Sequence, residues 1–436
     1  MRGVRVARTL LEIVGMYDGY DRELVHWIDS HAENLIVLAC DLVRIPSVTG
    51  NEGELAKLIA EWLSRNEFEF ELSVVPEEFR RKFPDFSEER DLVARPNLYA
   101  RLKAPGDSKY PPVVLNGHLD VVPVGDPARW RFAPFSGVRS DGSIWGRGAA
   151  DMKGPIAAGL MAILALKECS AALSNDIEFQ LVIGEETGGL GTIFALSDRP
   201  RPGAAIVLEP SQGRIVTAGA GSVQFTVRAS GKAAHGCAPW EGRSALAMLL
   251  KCLGRLEAYA ARRNASLSHP LFAAFPQQAP LNIGTFSAGE WRATVPESGQ
   301  FSGRMGILPG EEITSIRREI EEEVARCRSD LKVEAHELSI DWPNVGFPAW
   351  ATPHDAELIE ALQSAARTLD SPGEPCGVMF GSDAGHFASL GIPVAIYGPG
   401  EIAKAHMVDE HVPERAVVDA SKTLAIALAR LATRQA

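Results

Sequence analysis

The hydrophobic period of this chain changes twice, and that change constrains its fold more than any other feature. Up to about residue 217, compact apolar runs (Val113 to Leu115, Phe179 to Ile183, Ala204 to Leu208) alternate with helical patterns such as Ile156 to Leu166. Continuous runs fit strands buried on both faces, and their alternation with helices is the pattern of an α/β layer around a mostly parallel sheet. From Ser222 to Ala229 the period becomes two, with Val223, Phe225 and Val227 set against polar neighbours, as in an antiparallel strand with one wet face. A helix over Ser244 to Ala261, strands over Leu281 to Phe286 and Gly299 to Ile307, a charged helix over Glu311 to Arg328 and a strand over Lys332 to Ile340 follow. That β-α-β-β-α-β order is the ferredoxin-like split arrangement. The first pattern then resumes, with a helix over Asp355 to Leu369, a buried strand over Val394 to Tyr397 and a helix over Glu414 to Ala432. The expected fold is therefore one α/β domain in two pieces, residues 21–217 and 341–436, around an inserted α+β domain at 218–340. Its 436 residues suffice for two cores.

Several function classes are disfavoured. The balance of 44 Lys+Arg against 56 Asp+Glu, net −12, offers no basic stripe for a nucleic acid. Apolar residues are interleaved with polar ones and no run approaches the ~18 residues of a membrane span. The six cysteines lie far apart with no C-x-x-C, which suggests neither a disulfide scaffold nor a cysteine zinc cluster and fits a cytoplasmic protein. Met1 to Met16 carries Arg2, Arg5 and Arg8 ahead of Thr9-Leu10-Leu11 in faint echo of a signal peptide, but Glu12 interrupts the apolar run and no cleavage site follows. An extension ahead of the folded part is the expectation there.

The residues able to carry chemistry gather at expected strand ends. His118 follows the Val113 run, and Asp120, two residues on, is placed to fix its tautomer. Asp151 lies in the glycine-rich stretch Gly146 to Gly154, ahead of a helix with Pro155 in its first turn. An acidic residue there repels phosphate and suits a cation, and neither nucleotide-loop register is present. Glu185 and Glu186 follow the Phe179 run, Glu209 the Ala204 run, and His406 the last strand and a glycine turn. Adjacent carboxylates repel unless they share a metal or a proton. Two imidazoles (His118, His406) and three carboxylates (Asp151, Glu186, Glu209), with Asp151 bridging, give each of two metal ions one His, one terminal carboxylate and the shared one. Such N/O donors with open positions describe a catalytic zinc site.

The ordered segments NGHLDVVP, GRGAADMKG, GEETGG, LEP, GKAAHG, GRMGILPGE and AHMVDE resemble the dizinc deacylase and peptidase family of acetylornithine deacetylase, succinyl-diaminopimelate desuccinylase, aminoacylase-1 and glutamate carboxypeptidase. The resemblance runs from about Asp41 to His411. It implies a zinc-peptidase-like catalytic domain with a mixed, mostly parallel sheet and an inserted ferredoxin-like lid and dimerisation domain. It also implies that His118, Glu209 and bridging Asp151 hold one ion, and His406, Glu186 and Asp151 the other. Zinc is the expected metal, with cobalt or manganese able to replace it. By the same resemblance Glu185 is the general base for a water shared by the two ions, Asp120 orients His118, and His235 stabilises the oxyanion, commonly from across a homodimer. Arg304 pairs with a substrate carboxylate, and Gly381 and Ser382 lie near the substrate. Cys237, two residues past His235, is expected to be a small buried residue rather than a nucleophile.

Three departures from the family pattern matter, and the last two bear on specificity. Pro155 stands where the family usually has a second glycine, Thr294-Val295-Pro296 replaces Asn-x-Pro, and Ser302-Gly303-Arg304 replaces Asp-x-Arg. The last two lie in the substrate region and leave the metal chemistry intact. The expected activity is hydrolysis of the amide of a small N-acyl amino acid by a cytoplasmic enzyme. A dipeptidase or carboxypeptidase of the same family is the alternative.

Overall fold

The computed structural model describes residues 19–433 apart from 84, 85, 87–91, 107 and 109; the reading of Met1 to Met16 lies outside them. Among the described residues nine strands form the main sheet. Its middle is four parallel strands, in the order Ile177–Val182, Val113–His118, Ala204–Val207 and Val394–Ile396. Antiparallel strands flank them, Pro96–Leu102 and Glu69–Val74 on one side, Ile215–Gly219 and Trp350–Ala351 on the other. Pro375–Val378 adds a parallel partner to Ile215–Gly219.

The continuous apolar runs are explained by two cores. Leu115, Ile206 and Ala395 face one, while Val114, Val207 and Ile396 face the other, so neither face of these strands meets water. Helix Gly154–Glu168, buried from Gly154 to Leu166, lies in the first core beneath helices Ala32–Arg44 and Glu414–Ala432. It lies close to the sheet because Gly159 has no side chain: a Cβ there would come within 2.9 Å of both Leu208 Cδ1 and Phe179 Cε1. The stretch Ala149–Glu168 has the length and apolarity of a membrane span, but its apolar 18-residue window is wholly buried inside this protein.

The insertion folds on its own core. Strands Leu281–Ala288, Ser298–Ile307, Gly221–Ser230 and Leu338–Asp341 pair antiparallel in that order, the ferredoxin-like one, with helices Ala245–Ser266 and Ile313–Leu331 packed on the sheet. Ser244 caps the first of these helices, its Oγ accepting the Ala247 N–H at 3.2 Å. The last strand is shorter than the sequence pattern suggests. Residues 332–337 end the preceding helix instead: Lys332 turns left-handed (φ 53°), Val333 N–H returns to the Arg328 carbonyl, and Glu334 to Glu337 closes a turn. Two chain segments connect the insertion to the main sheet, and Ser222 and Phe347 exchange both backbone hydrogen bonds (2.9 Å each) where they run side by side.

Candidate metal centre

Because the four central strands are parallel, their carboxyl ends share one edge, and that edge carries the chemistry. His118 is the last residue of its strand; Glu185 and Glu186 follow Val182, Glu209 follows Val207, and the chain after Ile396 loops back to present His406. Asp151 comes from the loop before helix Gly154–Glu168, where the Asp151–Met152 peptide is cis.

The two oxygens of Asp151 face different histidines. Oδ1 lies 3.0 Å from His118 Nε2 and Oδ2 lies 3.3 Å from His406 Nε2. Glu209 Oε1 is 3.7 Å from His118 Nε2, and Glu186 Oε1 is 3.1 Å from His406 Nε2. Two donors about 2.1 Å from a tetrahedral ion sit roughly 3.4 Å apart, so these separations fit donors that share an ion. Atoms of His118, Asp151 and Glu186 lie within 4.8 Å of one another, as do atoms of His118, Glu185 and Glu209. His118, Asp151, Glu185 and Glu209 are buried, whereas the His406 side chain is half exposed. Four carboxylates at one buried edge need more counter-charge than two imidazoles supply, which also fits a cation site.

The electrostatics carry the same mark. Burial pushes the Glu185 carboxyl well above its ordinary value, and the charges of Glu209, Asp383 and Glu186 add to it. Burial and Asp151 do the same to Glu209. His118 resists burial, which favours the neutral ring; the Asp151 hydrogen bond and the nearby carboxylates hold its pKa well above normal. His406 is raised to about 10 by its bonds to Asp151 and Glu186.

Asp120 acts differently from the expectation. Its backbone carbonyl, not its carboxylate, takes the His118 Nδ1–H, at 2.8 Å; the nearer carboxylate oxygen is 3.8 Å away. The carboxylate is occupied elsewhere, accepting the backbone N–H groups of Glu185 (3.1 Å) and Glu186 (3.2 Å) and the Thr49 hydroxyl (2.9 Å). Asp120 therefore orients both sides of the cluster, the histidine through main chain and the glutamates through side chain.

The remaining candidates lie around this cluster or apart from it. Ser382 is buried, with no hydrogen-bond partner for its hydroxyl among the described residues, and Gly381 packs against Phe347 so tightly that a Cβ would lie 2.5 Å from that of Phe347. Their neighbour Asp383 accepts the Thr192 hydroxyl (2.7 Å), which in turn accepts Asn116 Nδ2–H (2.9 Å). His386 donates from Nε2 to the Gly188 carbonyl (3.0 Å), just past the two glutamates. Sequence reasoning missed Thr192, Asn116 and His386; each carries a common residue type whose partner is distant in the chain. Arg304 lies on the insertion's strand Ser298–Ile307, its pKa lowered by burial, and its side chain makes no hydrogen bond or ion pair among the described residues. His235 is exposed on the insertion, and its recorded partner is Cys237, whose thiol lies 3.0 Å from Nδ1. Among the described residues no contact joins His235 to the cluster. Cys237, expected to be buried, is exposed: it lies in the loop between Gly221–Ser230 and Ala245–Ser266, whose other residues are mostly exposed too.

Comparison with known proteins finds relatives along most of the chain. The chain is 28% identical over 350 residues to N-formyl-4-amino-5-aminomethyl-2-methylpyrimidine deformylase of Halalkalibacterium halodurans, covering 76% of this chain and 81% of that one. It is 25% identical over 404 residues to a probable succinyl-diaminopimelate desuccinylase of Staphylococcus epidermidis, covering 87% and 93%. Its fold matches that of the dipeptidase Dug1p of Saccharomyces cerevisiae with TM-score 0.75 at 16% identity, over 95% of this chain and 99% of the other. The family described as Peptidase family M20/M25/M40 matches residues 114–430, a span that holds all five candidate donors. The chain belongs to Peptidase family M20/M25/M40, and it is a metal-dependent hydrolase of amide bonds.

Proposed function

We propose that the protein removes the acyl group from an N-acylated amino acid, with a centre in which His118, Glu209 and Asp151 would hold one divalent ion and His406, Glu186 and Asp151 a second. The observation that carries this is the Asp151 carboxylate placed between two histidines, 3.0 and 3.3 Å away. Two divalent cations in such a set, zinc by preference and cobalt or manganese by the same donor chemistry, supply Lewis acidity toward a carbonyl and lower the pKa of water.

The chain's own groups do the rest. Glu185, raised by burial, takes a proton from the attacking water at its carboxylate and returns it to the leaving nitrogen, so that amide and water become carboxylic acid and amine. Asp120 holds the Glu185 and Glu186 backbone in place. Arg304, desolvated and unpaired among the described residues, offers a planar fork to the free carboxylate of the amino-acid part. Gly381 and the unpartnered Ser382 hydroxyl line the substrate side. His235 donates toward the oxyanion. Because it makes no contact with the cluster in its own chain, we assign it to the site of a second copy in a homodimer. Exposed Trp240 and Trp291 lie on the two loops that meet where His235 bridges Thr294, and they suit that interface. Residues 218–340 are thus read as lid and dimerisation domain, and 21–217 with 341–436 as catalytic domain. Six free cysteines suit a reducing cytoplasm.

The test is amine release from N-acetyl, N-succinyl and N-carbamoyl amino acids and from dipeptides, with metal-loaded and chelator-stripped protein. Metal-dependent turnover of one acyl class is the expected result. Turnover confined to dipeptides would replace this reading with a dipeptidase.

A further inference from the structure

Asp151 and His406 reach the cluster from loops, not from strands, and His406 itself has φ 62°, a left-handed conformation that a non-glycine residue keeps only when its neighbours fix it. One buried side chain connects the two loops. Glu410 Oε1 accepts three backbone N–H groups from the loop of Asp151: Gly148 (3.0 Å), Ala150 (3.0 Å) and Asp151 itself (3.1 Å). Its other oxygen takes Arg147 Nη1–H at 2.6 Å, and the same Nη1 also donates to the carbonyl of Met407, the residue after His406, at 3.2 Å. The Glu410 carbonyl accepts Gly146 N–H at 2.9 Å, and the short strand His411–Pro413 pairs with Ser143–Trp145 immediately beyond. Glu410 is 1% exposed and Arg147 2%. A buried carboxylate that spends one oxygen on three amides and the other on a guanidinium has its geometry fully determined.

We propose that Glu410, clasped to Arg147, is a positioning residue that sets Asp151 against His406 and so builds the half of the centre that His406 and Glu186 complete. This rests on the two-ion reading above. Glu410 touches neither substrate nor ion; it acts through the loops on both sides.

The test is a cobalt titration of metal-stripped protein, followed by visible absorption and calorimetry, on wild type, Glu410→Gln, Glu410→Ala and, as a control, Leu424→Ala in the core helix Glu414–Ala432. Glu410→Gln can keep an oxygen for the three amides but turns an N–H toward Arg147. It is expected to bind the first ion as wild type does and the second about 10–100-fold more weakly. Turnover falls in kcat with KM held. Glu410→Ala is expected to lose the second ion altogether; should it fail to fold, Glu410→Gln alone decides. Leu424→Ala melts lower yet binds two ions with wild-type affinity, which separates positioning from general loss of stability. Two ions bound with unchanged affinities by Glu410→Gln, or equal weakening of both, overturns the proposal while the two-ion reading stands. Fewer than two ions bound by wild type overturns that reading, and this proposal with it.

Discussion

Glu185 and Glu186 are adjacent in sequence and lie at the same edge, Glu185 buried and Glu186 partly so, yet they are given different work. His406 bonds Glu186 at 3.1 Å, whereas among the described residues no such bond fixes the Glu185 side chain. Glu185→Gln should therefore keep both ions and lose about 10²–10⁴-fold in turnover, read by metal analysis beside amine release. Loss of an ion in that variant would make Glu185 a donor, since its oxygens come within 4.8 Å of donor atoms on His118 and Glu209. Arg304→Ala should raise KM for carboxylate-bearing substrates by roughly 10–100-fold, the equivalent of about 1.5–3 kcal/mol for a hydrogen bond to a charged group. An unchanged KM would mean that another residue holds the carboxylate. Residue identities were legible here because metal donors are restricted to few side-chain types. The use made of them was less so: nothing in His118-Leu119-Asp120 tells main chain from side chain, and it is the Asp120 carbonyl that orients the ring.

At the level of elements, the helix Ala384–Ser389 braces the glutamate loop through His386, whose burial pushes its pKa from 6.5 down to about 4. The native state thus keeps this ring neutral while the unfolded chain binds a proton. Its contribution to stability is complete above pH 6.5 and is lost as pH falls through 4, an amount on the order of 3 kcal/mol. Denaturant midpoints taken between pH 7 and 4 should fall more steeply for wild type than for His386→Gln; equal slopes would show that the ring does not titrate this way. Elements with a strong period were readable in advance: the alternation of Val223, Phe225 and Val227 gave a strand with one buried face, and Ser244 marked a helix start. The segment from Lys332 was not, because a left-handed helix end and a turn leave no period behind them. Cys237 was misplaced for a related reason: its loop carries no period from which burial follows.

At the level of the whole molecule, the parallel middle of the sheet assembles residues from four distant parts of the chain into one buried acidic cluster. Chelation should then do more than stop turnover. Ions held at 100 times their dissociation constant stabilise by about 2.7 kcal/mol, so stripped protein should melt several degrees lower and recover with added zinc, cobalt or manganese. Melting and amine release unchanged by chelator would remove metal from the reading. The domain-level pattern was legible because the change of hydrophobic period survives any error in element boundaries. The supports were not: Thr192 meets Asp383 across 191 positions and Gly148 meets Glu410 across 262, and a single sequence carries no trace of such pairs.

The strand Val394–Ile396 takes its place between Ala204–Val207 and Ile215–Gly219, both made long before it. On the ribosome, 220 residues separate Glu186 from His406, on the order of 10–40 s of synthesis at 5–20 residues per second. Once Glu209 is made, and so for most of that interval, the nascent chain owns every acidic candidate donor but only one of the two candidate histidines. The centre therefore cannot close before His406 has been made, and until then the chain is an inactive hydrolase.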